Sequence, residues 1–313
     1  MSGNGTEETV KDTAIDTSLD SEEASFGKVQ SFWSTIWKRF RRHRLAMIGL
    51  GVLSVLVLVA ILAPVLASHD PTVMDMEVLT TGNPPAPPSK THWLGTDALG
   101  RDWLSRAIYG ARISLSVGLV SVGISVTIGS VLGAIAGYYG GLIDNIICRV
   151  IDVLMCVPTF FLILTVNAFL TPSIYNVMII IGVFGWMGTA RMVRGQILSI
   201  REQEFVEAAR ALGLPDKRVV LRHILPNVFA QLIVTATMGV AGAIMTESGL
   251  SYLGMGVQEP FPSWGAMLKS AQDYLLTAPW LAILPGLLIS ITVLSINFVG
   301  DGLRDAIDPK LKR

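Results

Sequence analysis

Six stretches of at least 17 residues run without an Asp, Glu, Lys or Arg, at 45–66, 113–137, 153–170, 174–190, 228–245 and 281–299. An α-helix needs about 20 apolar residues to cross the roughly 30 Å hydrocarbon core of a bilayer, so each stretch predicts one transmembrane helix. The expected fold is an all-α polytopic membrane protein with six spans. The second, Ile113–Gly137, is rich in Gly and Ser, a composition that lets helix backbones approach closely in lipid. Pro158 lies inside the third and predicts a kink there.

Charge orients the spans. Lys38, Arg39, Arg41, Arg42 and Arg44 precede the first, and Arg191, Arg194, Arg201, Arg210, Lys217, Arg218 and Arg222 follow the fourth. Basic residues flanking spans stay in the cytoplasm, so both groups, and with six spans both termini, are expected inside. Residues 67–112, 171–173 and 246–280 then lie outside, and 138–152, 191–227 and 300–313 inside. Residues 1–28 are polar and acidic, too poor in apolar groups to bury themselves, and predict a disordered cytoplasmic tail, followed by a basic juxtamembrane segment at 29–44. The start lacks the basic, apolar and cleavage regions of a signal peptide. In the first outer segment, Leu94, Leu99, Trp103 and Ala107 share one helical face with Arg101, Asp102 and Arg106 around it, which predicts an amphipathic element lying on the membrane surface. Its arginines strain the positive-inside pattern, and Asp97 and Asp102 partly balance them.

The most informative stretch is the charged island Ser199 to Asn227, SIREQEFVEAARALGLPDKRVVLRHILPN. Ser199 and Glu202 have capping-box spacing, so a helix is predicted from there through Arg210 until Gly213 supplies a left-handed stop. Pro215 suits the first position of a second helix, Asp216 its positive end, and Pro226 closes it after Leu225. Phe205, Ala208, Ala209 and Leu212 recur at spacings of three and four and so share a face that wants a partner groove. Glu207 lies within reach of Arg210 and of the second helix's basic groups.

Glu207-Ala208-Ala209, then three residues to Gly213, then nine before His223-Ile224-Leu225-Pro226, resembles the EAA loop of the membrane permeases of binding-protein-dependent ABC importers. The family usually has an aliphatic residue where His223 stands; HILPN is common in its peptide-importer branch. The runs HWLGTDALGRDWLSRAIYGARISL, LSYLGMGVQEPFPSWG and GDGLRDAIDP resemble the same branch, so the likeness covers about residues 30 to 313. It implies the type I ABC importer permease fold in a prokaryotic plasma (inner) membrane. It also implies that the first helix of the loop is a coupling helix docking onto a cytoplasmic ATPase, and that the ATPase-coupling residues of the whole loop are Phe205, Glu207, Ala208, Ala209, Leu212, Gly213, Leu225 and Pro226. The partners implied are a second homologous permease, two cytoplasmic ABC ATPase subunits that use ATP and Mg, and an extracytoplasmic substrate-binding protein; the outer element is read first as a surface anchor, with receipt of substrate from that protein as the alternative. Peptide cargo is the first expectation; nickel chelates and glutathione move through importers with the same motifs, and a non-transporting membrane scaffold is the reading from another class.

Composition and chemistry agree with a subunit that borrows its energy. Of 313 residues 51% are hydrophobic and only 15% charged, and the formal net charge of zero offers nothing to nucleic acid. Cys148 and Cys156 predict neither a disulfide framework nor a zinc site. His43, His69, His92 and His223 are scattered along the chain, and no Gly-rich phosphate loop occurs, so no catalytic residue, bound cofactor or metal is expected. Nor do the spans hold the ionisable groups that ion-coupled carriers place at mid-membrane. The nearest is Glu247, expected just beyond span five, at the interface or facing the translocation cavity, where it would meet a peptide's amino terminus.

Overall fold

The computed structural model describes residues 32–81 and 84–307, and among them the regular elements are all helices. The acidic tail at 1–28 and the last residues of the C-terminal tail lie outside the described residues. Helices α1 (Phe32–Phe40) and α2 (Arg44–Ile61) meet at His43, whose Nδ1 accepts the Ala46 N–H at 3.1 Å and starts α2. Two short helices follow, α3 (Ala63–Leu66) and α4 (Met76–Thr81). The long α5 (Trp103–Tyr139) opens under Asp102, which accepts the Ser105 N–H at 2.8 Å, and closes at Gly140 with φ of 66°. Next, α6 (Gly141–Met155) and α7 (Thr159–Ala168) are bent 79° to one another. After α8 (Ile174–Ile200) come α9 (Glu204–Ala211), α10 (Asp216–Val219), a π turn over Val220–Ile224 and α11 (Leu225–Tyr252). The last two are α12 (Trp264–Ala271) and α13 (Trp280–Ile307).

Five stretches, α2, α5, α8, the run from α10 to α11, and α13, are long and apolar enough to cross a membrane, and the broken α6–α7 pair makes a sixth if taken as one. Several boundaries differ from the sequence expectation. Span two is part of a helix that starts ten residues earlier, at Trp103, and the preceding residues are not an amphipathic surface helix. Gly95 and Gly100, with φ of 75° and 73°, break any helix there, and Asp97 Oδ1 accepts the backbone N–H groups of Leu99 and Arg101 at 2.9 and 3.0 Å. Residues 138–152, left between spans two and three as an inner connection, are not a short turn: α6 occupies most of them, and its Asp144 and Asp152 pair with Arg194 and Arg191 of α8. The chain does bend beside Pro158. The helices at spans four, five and six also run on, to Ile200, Tyr252 and Ile307.

Association of helices in lipid is driven by close packing and internal hydrogen bonds more than by apolar transfer. Along the α5–α8 contact, a Cβ on Gly129 would lie 2.8 Å from the Trp186 carbonyl, and one on Gly137 2.9 Å from the Arg194 carbonyl. Side chains larger than hydrogen are excluded there. At one end of the bundle Trp103, Trp264, Met267 and Leu281 form a closed cluster, each at most 1% exposed. Trp264 fastens α12 to α5 by donating Nε1–H to the Ala107 carbonyl at 3.1 Å and its backbone N–H to Ser114 Oγ at 3.2 Å. At the other end, Ile36 and Phe40 of α1 pack with Ala306 and Ile307 of α13, so both ends of the described chain share one face. That face also receives the close of α5 and of α8, with the basic groups of α9 and α10, and is called the basic end below.

Candidate functional site

The charged island forms a two-part loop at the basic end. Its first helix starts later than expected: Ser199 lies inside α8, so no capping box forms with Glu202, and Gln203 stands at the N-cap of α9. Gly213 has φ of 74° and closes α9. The Leu214 N–H reaches the Ala209 carbonyl at 3.3 Å and the Gly213 N–H the Arg210 carbonyl at 2.8 Å, the paired bonds of a Schellman motif. Pro215 is the N-cap of α10, as its fixed φ allows, but Pro226 ends nothing. Through the π turn the backbone continues into α11, and Pro226 sits in that helix's first turn, where no intrahelical N–H is needed.

Burial divides the predicted face. Val206 and Ala209 pack inward with Val193, Ile197, Val219, Ile224 and Val228. Phe205, Ala208 and Leu212 stay exposed, Leu212 at 82%, and form an apolar ridge on the outer side of α9. Glu207 is exposed beside it, and among the described residues no ion pair joins it to Arg210 or to the basic groups of α10. The part expected of Glu207 belongs to Tyr138 at the end of α5, which the sequence did not single out. Its hydroxyl donates to Asp216 Oδ1 at 2.6 Å, and the Arg210 guanidinium lies 4.9 Å from its ring centroid. One side chain thus ties α9, α10 and the longest helix together.

Between α5, α7, α8 and α11 runs a groove of about 460 Å³. Its walls carry Ser121, Ser125, Thr159, Thr189, Thr235 and Thr246 among glycines and aliphatic groups, and no charged residue. Glu247 is not on it. The residue lies within α11 rather than beyond the span, is 0% exposed, and accepts from Ser251 Oγ at 2.7 Å. Ser251 Oγ in turn accepts the Val257 N–H at 3.0 Å. The carboxyl therefore braces the turn after α11 through Ser251.

The far end carries a compact charged assembly. Arg101 and Arg106, 3% and 0% exposed, converge on Glu259 from more than 150 residues away in sequence, with Arg101 Nη2 to Oε1 at 3.1 Å and Arg106 Nη2 to Oε1 at 3.2 Å. Asp97 backs both, 2.7 Å from Arg101 and 3.5 Å from Arg106. Burial works to raise the Glu259 carboxyl, but the two guanidiniums outweigh it and hold it below the ordinary range. Beside this, His92 Nδ1 lies 2.9 Å from Asp102 Oδ1 and Nε2 3.2 Å from Asp75 Oδ2. Burial opposes its protonation, yet the two carboxylates prevail and raise its pKa. His69 stacks obliquely on it, ring centroids 4.8 Å apart. Histidines scattered in sequence are neighbours here, brought together by the turn of the outer segment over the start of α5.

Comparison with known proteins bears on this arrangement. Residues 129–313 match the family of binding-protein-dependent transport system inner membrane components, and residues 31–88 match the N-terminal TM domain of oligopeptide transport permease C. The chain is 41% identical over 280 residues to the dipeptide transport system permease protein DppC of Alkalihalophilus pseudofirmus, covering 90% of each. It is 40% identical to the oligopeptide transport system permease protein OppC of Bacillus subtilis, covering 94% of each. It is 43% identical to the glutathione transport system permease protein GsiD of Escherichia coli, over 91% of this chain and 93% of that one. Among solved structures, the inward-facing MetNI methionine ABC transporter superposes with a TM-score of 0.52 over 64% of this chain and 96% of that chain, at 19% identity, which speaks for the fold alone.

Proposed function

The chain belongs to the binding-protein-dependent transport system inner membrane component family, and from that premise we propose that it forms, with a second permease, the membrane pathway of an ATP-driven importer of short peptides, with α9 as the element that receives ATPase closure. The observation that carries this is the ridge of Phe205, Ala208 and Leu212, left exposed on a helix whose other face is fixed inward. Three apolar side chains at helical spacing, flanked by charge, suit insertion into a groove on another protein.

In this reading two cytoplasmic ATPases bind and hydrolyse ATP with Mg, and this subunit does no catalysis; both termini and α9 face the cytoplasm, and the far end meets a substrate-binding protein. The neutral, hydroxyl-lined groove supports the cargo class. Hydroxyls hydrogen-bond peptide groups regardless of the cargo's side chains, and an uncharged wall penalises neither acidic nor basic sequences. The relatives named for dipeptides and oligopeptides favour α-linked peptides; the one named for glutathione favours that tripeptide as a second reading.

The test is Leu212→Asp with Phe205→Ala in the complete complex reconstituted in proteoliposomes. Both side chains are exposed, so the subunit should reach the membrane and hold its fold. ATPase subunits should no longer co-purify and ATP-driven peptide uptake should vanish. Wild-type retention of the ATPases and wild-type uptake would sink the assignment of α9.

A further inference from the structure

The outer histidines make an arrangement that peptide transport does not call for. One donor atom each from His69, His92 and Asp102 lies within 4.8 Å of the other two. We propose that these three residues bind a single divalent transition-metal ion of the zinc class, which clips residues 69, 92 and 102 together at the start of α5.

The donor set decides the class. Two imidazoles and one carboxylate suit zinc and its first-row neighbours, whereas magnesium and calcium prefer oxygen alone. Each ligand is aimed by something else. His92 presents Nδ1 to the site while Nε2 points at Asp75 Oδ2, 3.2 Å away, and Asp75 Oδ1 itself accepts the Glu77 N–H at 2.8 Å. A carboxylate on the far nitrogen of a histidine ligand is the usual outer support of a metal site, fixing tautomer and ring orientation. Asp102 turns Oδ1 toward both histidines, 2.9 Å from His92 Nδ1 and 3.9 Å from His69 Nδ1, while Oδ2 caps α5 through Ser105. The main chain of His69 is anchored to the same turn, its N–H on Ser105 Oγ at 3.2 Å.

Geometry leaves room for closure and for a fourth ligand. Donors at 2.0–2.2 Å around a tetrahedral zinc stand about 3.4 Å apart. His92 and Asp102 are already near that separation, and the remaining contraction falls to the His69 side chain, which is 42% exposed and gives up the 2.9 Å contact of its Nδ1 with Ser68 Oγ when it closes on the ion. An adjoining cavity of about 320 Å³, walled also by Asp70 and Asp75, admits the ion and a water in the open position. Three protein ligands and one open position make an exchangeable site rather than a closed structural one.

The experiment uses the assembled importer in lipid nanodiscs, stripped with chelator and then offered zinc alone, with bound metal counted by mass spectrometry and affinity read by chelator competition. His69→Gln is the primary variant because its side chain is exposed; Asp75→Asn tests the support. Wild type is expected to retain one more zinc per complex than His69→Gln. His69→Gln should weaken binding at least tenfold and Asp75→Asn by about 10–100-fold, and zinc should raise the thermal midpoint of wild type alone. Cobalt offered to wild type should give the intense visible absorption of a four-coordinate site, a readout that needs no variant. Equal zinc content and affinity in wild type and His69→Gln, or a cobalt spectrum indistinguishable from the aqueous ion, would overturn the proposal.

Discussion

Replacing Gly213 separates backbone geometry from contact in the loop between α9 and α10. Its φ of 74° is one that side chains resist, yet a Cβ built there meets no atom within 4 Å. Any effect of substitution is therefore conformational. A non-glycine residue in the left-handed region costs roughly 1–2 kcal/mol, less for Asn and more for a β-branched residue. If the chain escapes by abandoning that φ, it forfeits the two closing bonds, from Leu214 to Ala209 and from Gly213 to Arg210, at about 0.5–1.5 kcal/mol each. By either route the closed form of α9 loses about 1–3 kcal/mol. An eight-residue helix has no stability of its own to absorb this, so the population of the docking-ready form should fall by roughly 5- to 150-fold.

Peptide uptake by the reconstituted importer should then decline in the order Gly, Asn, Ala, Val at position 213, the Val variant retaining a tenth or less. Its thermal midpoint should hardly move, because the bundle is untouched. The assay is ATP-driven uptake into proteoliposomes, alongside cargo-stimulated ATP hydrolysis and the amount of ATPase bound. Wild-type uptake by Gly213→Val refutes the reasoning. So does equal loss in Asn and Val, because φ would then not be the controlling variable.

Two further outcomes follow from side chains that span distant parts of the chain. Tyr138→Phe keeps the ring under Arg210 but removes the 2.6 Å bond to Asp216; hydrogen exchange in α10 should speed up by a factor matching about 0.5–1.5 kcal/mol, and unchanged protection would show that the bond is idle. Glu259→Gln leaves Arg101 and Arg106 buried with Asp97 as their remaining carboxylate, which should cost about 1–3 kcal/mol, below the 3–5 of a fully buried pair because Glu259 is half-exposed. The Glu259 carboxyl titrates below its ordinary 4.5, so its stabilisation is complete above that pH and is lost as pH falls through the folded value. The difference in thermal midpoint between wild type and variant should be full at neutral pH and shrink in acid; a difference independent of pH would contradict this.

What the sequence disclosed was local. Apolar runs located the membrane helices, and Gly213 and Pro215 marked a stop and a start, because each signal resides in neighbouring residues. The exposed ridge was half legible: spacing grouped Phe205, Ala208, Ala209 and Leu212, but only packing shows that Ala209 turns inward with Val206. Long-range pairs left weaker traces. Asp144 and Asp152 looked like loop charges because their partners sit on α8, 50 and 39 residues away. Arginines on the far side broke the charge pattern expected of an outer loop. That breach was a readable signal of internal neutralisation, although nothing local pointed to Glu259. Glu247 misled for the opposite reason: a carboxylate near a span end suggests a cavity, whereas serines from three segments, Ser114, Ser248 with Ser251, and Ser263, surround it in place.

These contacts give α5 a particular mechanical standing. At 37 residues it is about 55 Å long, more than the hydrocarbon thickness, and each end is pinned by groups from elsewhere. At the far end Arg106 is locked to Glu259, and Trp264 donates into the helix at Ala107. At the basic end Tyr138 holds Asp216 and underlies Arg210. In between, glycines press it so closely onto α8 that sliding or rotation would drive backbone atoms together. Under the proposed coupling role, a displacement of α9 passes to α5 through Arg210 and Tyr138 and along α5 toward the charged assembly around Arg101 and Glu259. Compact cores switch between discrete packings rather than deform continuously, so α5 and α8 should move as one body, and the compliance needed for transport falls to the bend between α6 and α7 and to the hydroxyl-lined groove beside it.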